Sequence, residues 1–249
     1  MHHGASLTAF VPNVFAMVLG AIASVAFAGQ TARRQRRILV WASIAACLLV
    51  GSTLVSSGLE GVHRWIRVGP LWLNASMALS PWVLGAARDR SPAWGSGMLL
   101  AFLGLHVVQP DAGQATALGA AIVALTVRRS PLSAIAAAAL VWGAWMRADP
   151  LLPVDHVERI LVLAVSDGPL IAGAAVVALG LLFLPIVRAL GHADAENRWL
   201  GLAFGIYGFG EIAMTFAGNF PVPIMGAGAG PVLGWYAMLA ISLRGRAQS

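Results

Sequence analysis

One stretch of the sequence, residues 147–168, carries ionisable side chains in a chain that is otherwise mostly apolar. They are Arg147, Asp149, Asp155, His156, Glu158, Arg159 and Asp167. Charges are costly to bury in lipid, so a membrane protein seldom places so many together without a use. A carboxylate here, Glu158 or Asp155, could serve as a general base, and the arginines could stabilise a departing phosphate group. The alternative is an ordinary solvated loop, since loops normally carry the charges.

The composition predicts an integral membrane protein made almost entirely of spans and short loops. The chain has 249 residues, 59% hydrophobic and only 10% charged, whereas soluble domains carry roughly 25% charged residues. Its formal charge of +6 comes from arginine alone. The arginines stand in short clusters between apolar runs, which is typical of membrane topology and not of nucleic-acid binding. Cys47 is the single cysteine, and no Cys/His cluster has metal-ligand spacing, so no metal site is predicted.

The apolar runs and the arginine clusters predict an all-α fold of nine transmembrane helices. The N-terminus lies outside and the C-terminus inside. The first run is interpreted as a retained span and not a signal peptide, although Ala26-Phe27-Ala28 is similar to a cleavage site, because the arginines follow this run. The predicted spans are 8–28, 38–56, 71–87, 93–108, 114–127, 131–146, 170–187, 199–217 and 225–243.

Four arginines depart from the preference for the inner side of the membrane. The predicted topology places twelve of the sixteen arginines inside and leaves Arg64, Arg67, Arg147 and Arg159 outside. Arginine binds phosphate in a planar, bidentate way. These residues therefore favour a ligand that carries phosphate, such as a lipid-linked pyrophosphate. Contacts with lipid headgroups, or pairing with nearby carboxylates, are the alternative.

Other polar residues are candidates for binding or for packing. Asp111 lies in a turn and is expected to cap the helix that follows. Glu211 lies in the middle of a span, which makes it a functional-site hypothesis by default, although a protonated or paired carboxyl fits equally. Pro81 predicts a broken or kinked helix near 74–76 and a cavity beside it. The glycine-rich segment 221–231 opens the last span and could approach a ligand or another helix closely, and close helix packing is favoured.

The order of these motifs resembles the SEDS family (shape, elongation, division and sporulation), which includes the FtsW, RodA and SpoVE types of peptidoglycan polymerase. The family has Arg-Arg-Trp-Ile, Gln-Pro-Asp-Leu-Gly, Leu-Pro then His-Thr-Asp, and Pro-Leu-Pro-Phe segments. The similar segments here are His63-Arg64-Trp65-Ile66, Gln109-Pro110-Asp111-Ala112-Gly113, Leu152-Pro153 with His156-Val157-Glu158, and Pro221-Val222-Pro223-Ile224. The resemblance implies that the family's first span is missing and that Glu158 stands at the place of the catalytic Asp.

This resemblance implies a glycosyltransferase that polymerises lipid II at the outer face of a bacterial inner membrane, in cell division or cell-shape control. Glu158 would be the base, supported by Asp155 and His156. The expected substrate-binding residues are Arg64, Arg67, Arg147, Arg159, His156, Asp111 and Glu211. A single-span transpeptidase or another membrane subunit is the expected partner, beside membrane lipid, and nucleic acid is not. A divalent cation is the one cofactor left open.

The chain also departs from the family pattern, and the departures favour an alternative function. Met77 and Ser80 stand where the family has Glu and Lys, which favours a catalytically degenerate homologue acting as a scaffold or accessory subunit. The retained charges of 147–168 favour the enzyme. A transporter is a third possibility that depends on Glu211. In each case residues 1–249 are expected to form one domain, with 147–168 as its outer functional loop.

Overall fold

The apolar runs of the sequence form α-helices in the computed structural model of the chain, and a β-hairpin lies between the second and third helices. The structure describes residues 7–56, 58–69, 71–147, 149–152, 154–191, 194–217, 220–222 and 224–244. The elements are a 3-10 turn at Leu7–Phe10, α1 (Val11–Ala28), α2 (Ala32–Thr53), β1 (Trp65–Val68), β2 (Leu71–Asn74), α3 (Ala75–Arg88), α4 (Pro92–Val108), α5 (Ala112–Thr126), α6 (Pro131–Trp145), α7 (Ile160–Ser166), α8 (Pro169–Leu182), α9 (Leu184–Leu190), α10 (Ala195–Ala217) and α11 (Ala229–Ser242).

The prediction of a polytopic helical membrane protein is confirmed. Four helical stretches are long and apolar enough to cross a bilayer, namely Thr8–Ala28, Ala32–Thr53, Pro169–Leu190 and Ala195–Ala217. Four shorter helices are also apolar: Pro92–Val108, Ala112–Thr126, Pro131–Trp145 and Ala229–Ser242. Large hydrophobic side chains on several of these helices are exposed, which suits contact with lipid.

The third predicted span was wrong at its start. Leu71–Asn74 is not helical but forms strand β2, which pairs antiparallel with Trp65–Val68 through a turn at Gly69. The two strands are apolar and rich in Trp, Ile, Val and Leu, which fits a pleated surface as well as a helix. Helix α3 begins only at Ala75, where the side chain of Asn74 accepts a hydrogen bond from the backbone N–H of Met77 at 3.0 Å. The break expected near 74–76 is therefore a strand-to-helix junction, and Pro81 lies inside a continuous helix.

Two more boundaries differ from the prediction. Helix α2 begins at Ala32, six residues before the predicted span, so the first arginine cluster is helical. The loop 147–168, which is predicted to lie outside and is called the outer loop below, contains the short helix α7. The span predicted at 170–187 divides at Phe183 into α8 and α9. Pro185 lies at the beginning of α9, where a missing N–H leaves no helical hydrogen bond unsatisfied.

Helices α3 and α11 approach each other closely because glycine lies at their contact. A Cβ added to Gly230 would lie 2.5 Å from the carbonyl oxygen of Asn74, and one added to Gly234 would overlap the carbonyl oxygen of Met77. The close packing predicted for the glycine-rich segment is thus confirmed at Gly230, and it continues along α11.

Replacing Gly234 by Ala should destabilise the protein by about 1–3 kcal/mol, because the new methyl group forces α11 away from the backbone of α3. Gly97→Ala is the matched control, since Gly97 lies in α4 and no atom is within 4 Å of an added Cβ. That control should be neutral or slightly stabilising, because Ala is the better helix former. Unfolding in detergent, followed by circular dichroism, measures both variants, and equal behaviour would contradict the packing argument.

Ion pairs join the helix ends on the arginine-rich face of the bundle. Asp89, at the end of α3, receives Arg244 from the end of α11 at 2.5 Å, and Arg88 reaches Asp194 before α10 at 2.7 Å. Arg129 pairs with Glu196. Three of the arginines that set the predicted topology therefore also join the ends of α3, α5, α10 and α11.

Candidate active site

A cavity of about 350 Å³ lies between the β-hairpin, the beginning of α5, the outer loop 147–168 and the segment that precedes α11. Its polar lining consists of Arg64, Asn74, Asp111, Gln114, Glu158 and Glu211, and its aromatic lining of Trp65, Trp72 and Phe220. The cavity thus combines one cation, three carboxyl groups and two amides with aromatic walls. That is a concave pocket with a few convergent polar groups, the usual form of a small-molecule site.

The β-hairpin forms one wall of this cavity, and its two faces differ. Trp65 is paired with Asn74 across the strands, and Trp72 lies two residues from Asn74, so all three share the cavity face. The cross-strand pair Ile66 and Leu73 faces the other way, into an apolar groove of about 220 Å³ between α1, α2, α3 and α11. The hairpin therefore separates the cavity with polar residues from the apolar groove.

Arg64 is the cation of the cavity, and it is only 3% exposed. Its Nη2 donates to the carbonyl oxygen of Pro110 and to Asp149 Oδ2, both at 2.6 Å. Its Nε lies 3.3 Å from Asp111 Oδ2, and its guanidinium stacks 5.5 Å from the centre of the Phe220 ring. The outer arginine predicted to hold phosphate thus already has two carboxylate partners.

Asp111 performs the role expected of it. Its Oδ1 accepts a hydrogen bond from the backbone N–H of Gln114 at 3.2 Å, which caps α5. Its Oδ2 is buried and faces Arg64. One carboxylate therefore both begins α5 and neutralises the cavity's arginine, which positions the two polar residues relative to each other.

Glu158 is the carboxylate that the outer loop contributes to the cavity. Its Oε2 accepts a hydrogen bond from the backbone N–H of Val154 at 2.6 Å, which closes the loop upon itself. Burial raises the pKa of Glu158 above its ordinary value, while the Val154 N–H and the charge of Arg64 act against that rise. A carboxyl group with a raised pKa that faces a cavity is a candidate acid or base.

Glu211 lines the cavity, is only 5% exposed, and belongs to a hydrogen-bonded network with Tyr207. Its carboxyl group is hydrogen-bonded to the Tyr207 hydroxyl, and its Oε1 is buried without a hydrogen-bond partner among the described residues. Gln114 donates to Tyr207 at 2.6 Å and to Ser80 Oγ at 3.0 Å. Ser80, at the position where the resemblance implies a lysine, is thus part of a hydrogen-bonded network to which it brings no charge.

The outer loop and the segment before α11 are fastened to each other above the cavity. The backbone N–H of Ala227 donates to the carbonyl oxygen of His156 at 2.9 Å, and that of Val222 to Val157 at 3.2 Å. Asn13 of α1 fixes the same segment, because its Nδ2 donates to Gly226 at 2.9 Å and its Oδ1 accepts from Gly228 at 2.8 Å. Sequence reasoning missed Asn13, although a lone amide within an uncharged span is a signal of a buried polar contact.

Several of the predicted site residues lie outside this cavity. Arg147 is exposed at the end of α6, and Arg159 and Asp155 are exposed in the outer loop, with their charged atoms 3.9 Å apart. His156 is half-buried, but its side chain does not line the cavity. Arg67 is exposed on the hairpin, and its guanidinium lies 5.8 Å from the ring centre of Trp72, so Arg67 lies beside a residue of the cavity wall.

The described part of the chain contains no cluster of three or more His, Cys, Asp or Glu residues that could hold a metal ion. Pro153 and Pro223, which belong to the motifs named above, lie outside the described residues, as does Arg246 of the inner arginines.

Comparisons with known proteins find matches by structure but not by sequence. No family model matches the sequence, and no curated protein does. Among solved structures, the rod shape determining protein RodA of Thermus thermophilus superposes with a TM-score of 0.65 at 16% identity, over 97% of this chain and 88% of RodA. The chain has the RodA fold. A variant of that protein gives the same TM-score and identity over 89% of its chain.

A chain of a peptidoglycan synthase complex, described as coordinating polymerization and crosslinking, superposes with a TM-score of 0.69 at 17% identity, over 98% of this chain and 92% of the other. The superpositions thus cover nearly the whole of each chain. The resemblance to the SEDS family is therefore confirmed for the fold, and the protein is a polytopic helical membrane protein with a RodA-like fold.

Proposed function

We propose that the protein is a SEDS-like glycosyltransferase that uses Glu158 as its general base on a sugar linked to a polyprenyl pyrophosphate, such as lipid II, at the outer face of the bacterial inner membrane. The observation that carries this proposal is the position of Glu158, partly buried and facing a cavity that also contains Arg64, Asp111 and Glu211. Burying a carboxyl group costs free energy, and a solvent-exposed loop with no function would have no reason to bury one.

The cavity supports a sugar as the group that it holds. Trp65, Trp72 and Phe220 supply apolar faces, while Gln114 and Glu211 supply hydrogen-bonding groups for hydroxyls. The lining contains more carboxyl groups than cations, so it favours the sugar over the pyrophosphate. The pyrophosphate is then placed toward the rim, where Arg67 lies beside Trp72.

In this mechanism the oxygen of the acceptor hydroxyl attacks the anomeric carbon of the donor sugar. At the same time the hydroxyl gives its proton to the Glu158 carboxylate. The bond between that carbon and the pyrophosphate oxygen breaks, and the pyrophosphate leaves with the electron pair. Arginine stabilises the negative charge that develops on the leaving group. Arg64 serves mainly to hold the residues around the cavity in place, because its charge is already paired with Asp111 and Asp149.

The test is polymerisation of labelled lipid II by the purified protein, alone and together with a single-span transpeptidase partner. We expect glycan strands visible by gel electrophoresis. Thermal unfolding shows whether the protein is folded. If the folded protein forms no strands under either condition, the proposed glycosyltransferase activity is wrong.

The rate should rise with pH on the acidic side of the profile, because a general base acts only when it is deprotonated. Since burial raises the pKa of Glu158, this rise in kcat/KM is expected above the pH range of an ordinary carboxylate. Asp149→Asn should move the rise to lower pH, because the negative charge of Asp149 raises the pKa of Glu158. A profile that does not respond to Asp149→Asn would argue against Glu158 as the titrating group.

A scaffold or accessory subunit is the second candidate, and one observation favours it. Arg64 already pairs with Asp111 and Asp149, and Ser80 brings no charge to its network, so no unpaired cation stands among the described lining residues of the cavity. A scaffold would bind its membrane partner and form no strands. Co-purification with the partner, combined with the polymerisation assay, separates the two functions.

A further inference from the structure

A further concave surface lies on α2, and it shares no lining residue with the cavity of the candidate active site. It is a groove of about 750 Å³ whose lining changes character along the helix. Arg33, Arg34 and Arg37 line one end, and Ile38, Trp41 and Ala45 line the other. We call this surface the arginine groove.

The residue spacing explains this arrangement. Residues three, four and seven or eight apart lie on one face of an α-helix, so Arg33, Arg37 and Trp41 follow one line and Arg34, Ile38 and Ala45 a second. From Arg33 to Ala45 the helix rises about 18 Å at 1.5 Å per residue. The arginine groove is therefore long enough to bind a polar headgroup and the first part of an acyl chain.

Within the part of the chain that the structure describes, the arginines of the groove lack the ion-pair and aromatic partners that other arginines of the predicted inner side have. Arg88, Arg129 and Arg244 pair with carboxylates, and Arg90 and Arg128 stack on tryptophan rings. By contrast, Arg33, Arg34 and Arg37 are exposed, and no carboxylate of the described residues lies within ion-pair distance of them.

Such a cluster is unfavourable on its own. Like charges spaced three and four residues apart on a helix repel each other, and here Arg33 and Arg37, and Arg34 and Arg37, have these spacings. An external anion would relieve the repulsion. Arginine suits phosphate in particular, because its planar guanidinium offers two parallel hydrogen bonds.

We propose that the arginine groove binds an anionic phospholipid, with the phosphate on Arg33, Arg34 and Arg37 and an acyl chain along Ile38, Trp41 and Ala45. The apolar half of the lining distinguishes a lipid from free phosphate, because an inorganic ion would leave that half unused. Trp41, which is 69% exposed, lies in the apolar half four residues after Arg37, and tryptophan is favoured at membrane interfaces. This proposal does not depend on the proposed glycosyltransferase activity.

The experiment measures binding of fluorescent phosphatidylglycerol to the full protein in a zwitterionic detergent, with phosphatidylcholine as the neutral comparison. The variant R33Q/R34Q/R37Q should bind phosphatidylglycerol about tenfold or more weakly, since each basic residue near an anionic headgroup contributes to attraction. The matched control is R90Q/R128Q/R129Q, which removes the same charge from arginines with internal partners and should bind within about twofold of the parent.

Each outcome decides the proposal. Equal weakening in both triple variants would overturn it in favour of unspecific surface charge, as would equal binding of phosphatidylcholine by the parent. If millimolar inorganic phosphate fully displaces phosphatidylglycerol, the groove binds a phosphate ion and the lipid proposal is wrong. Trp41→Ala, which keeps every charge, should also weaken phosphatidylglycerol binding, and no change in that variant would overturn the placement of the acyl chain. Thermal unfolding of each variant confirms that it is folded.

Discussion

Replacing Glu158 by Gln should abolish glycan-strand formation while it leaves the fold intact. General-base catalysis by a positioned side chain typically contributes 10²–10⁴-fold to a rate, so a loss on the order of a hundredfold or more is expected. Gln has the same shape, and its carbonyl oxygen can still accept the hydrogen bond from Val154 N–H. The outer loop therefore stays closed, and only the ability to take a proton is removed.

Asp155→Asn is the matched control for this variant. Asp155 is the other carboxylate of the predicted catalytic pair, three residues away in the same loop. Its side chain is 59% exposed, and its nearest charged partner is Arg159 at 3.9 Å. The rate of this variant should lie within about twofold of the parent. Loss of activity in Asp155→Asn, with activity kept in Glu158→Gln, would transfer the role of base to Asp155 and overturn the assignment made from the cavity.

Glu158→Asp separates a catalytic role from a structural one. A shorter carboxylate can still accept a proton, but it retreats by about one methylene, and a misplacement near 1 Å can cost on the order of a hundredfold. We expect partial activity, above that of Glu158→Gln. Activity equal in the two variants would show that the proton-accepting group is elsewhere.

The helices were predictable because a membrane makes hydropathy decisive. Every backbone N–H and C=O in the bilayer must be satisfied within the protein, so each long apolar run becomes a helix. The hairpin was not predictable in the same way, since Leu71–Asn74 is as apolar as a span and its partner strand is recognised only once both are paired. The division of 170–187 at Phe183 likewise lies within a run whose hydropathy does not change.

The candidate site was predictable in its residue types but not in its geometry. Arg64, Asp111, Glu158 and Glu211 were all named from the sequence, and the structure brings them to one cavity. Sidedness alone places every outer arginine on the same face, but it says nothing about which of them points inward. Arg64 points inward because Asp111 and Asp149, 47 and 85 residues later in the sequence, meet it there. Such long-range pairing depends on the packed helices and not on local pattern.

Arg64→Gln should lower the free energy of unfolding by about 3–5 kcal/mol, which is the usual cost of removing one partner from a buried ion pair. The cost arises mainly at Asp111, whose side chain is 2% exposed and whose Oδ2 would face no cation. Asp149 is 21% exposed, so water can replace part of its interaction. Unfolding by denaturant in detergent micelles, followed by tryptophan fluorescence, measures the change.

Arg67→Gln provides the matched control, because it removes an arginine from the same hairpin three residues away. Arg67 is exposed, and among the described residues the one hydrogen bond of its side chain is to the carbonyl oxygen of Gly69, at 3.1 Å. We expect a change within about 0.5 kcal/mol, as is usual for exposed positions. A similar loss in both variants would show that the hairpin responds to any change of charge, and that the buried pair is not special.

A double variant tests whether the loss comes from the unpaired carboxylate. Asp111→Asn removes the charge but keeps an oxygen that can cap α5 through Gln114 N–H. If Asp111 is the residue left unpaired by Arg64→Gln, then Arg64→Gln with Asp111→Asn should be more stable than Arg64→Gln alone. The interaction free energy of neighbouring residues measured in this way is typically 0.5–3 kcal/mol. Strict additivity of the two single changes would mean that Arg64 stabilises the cavity through Pro110 and Asp149, and that Asp111 acts only as a helix cap.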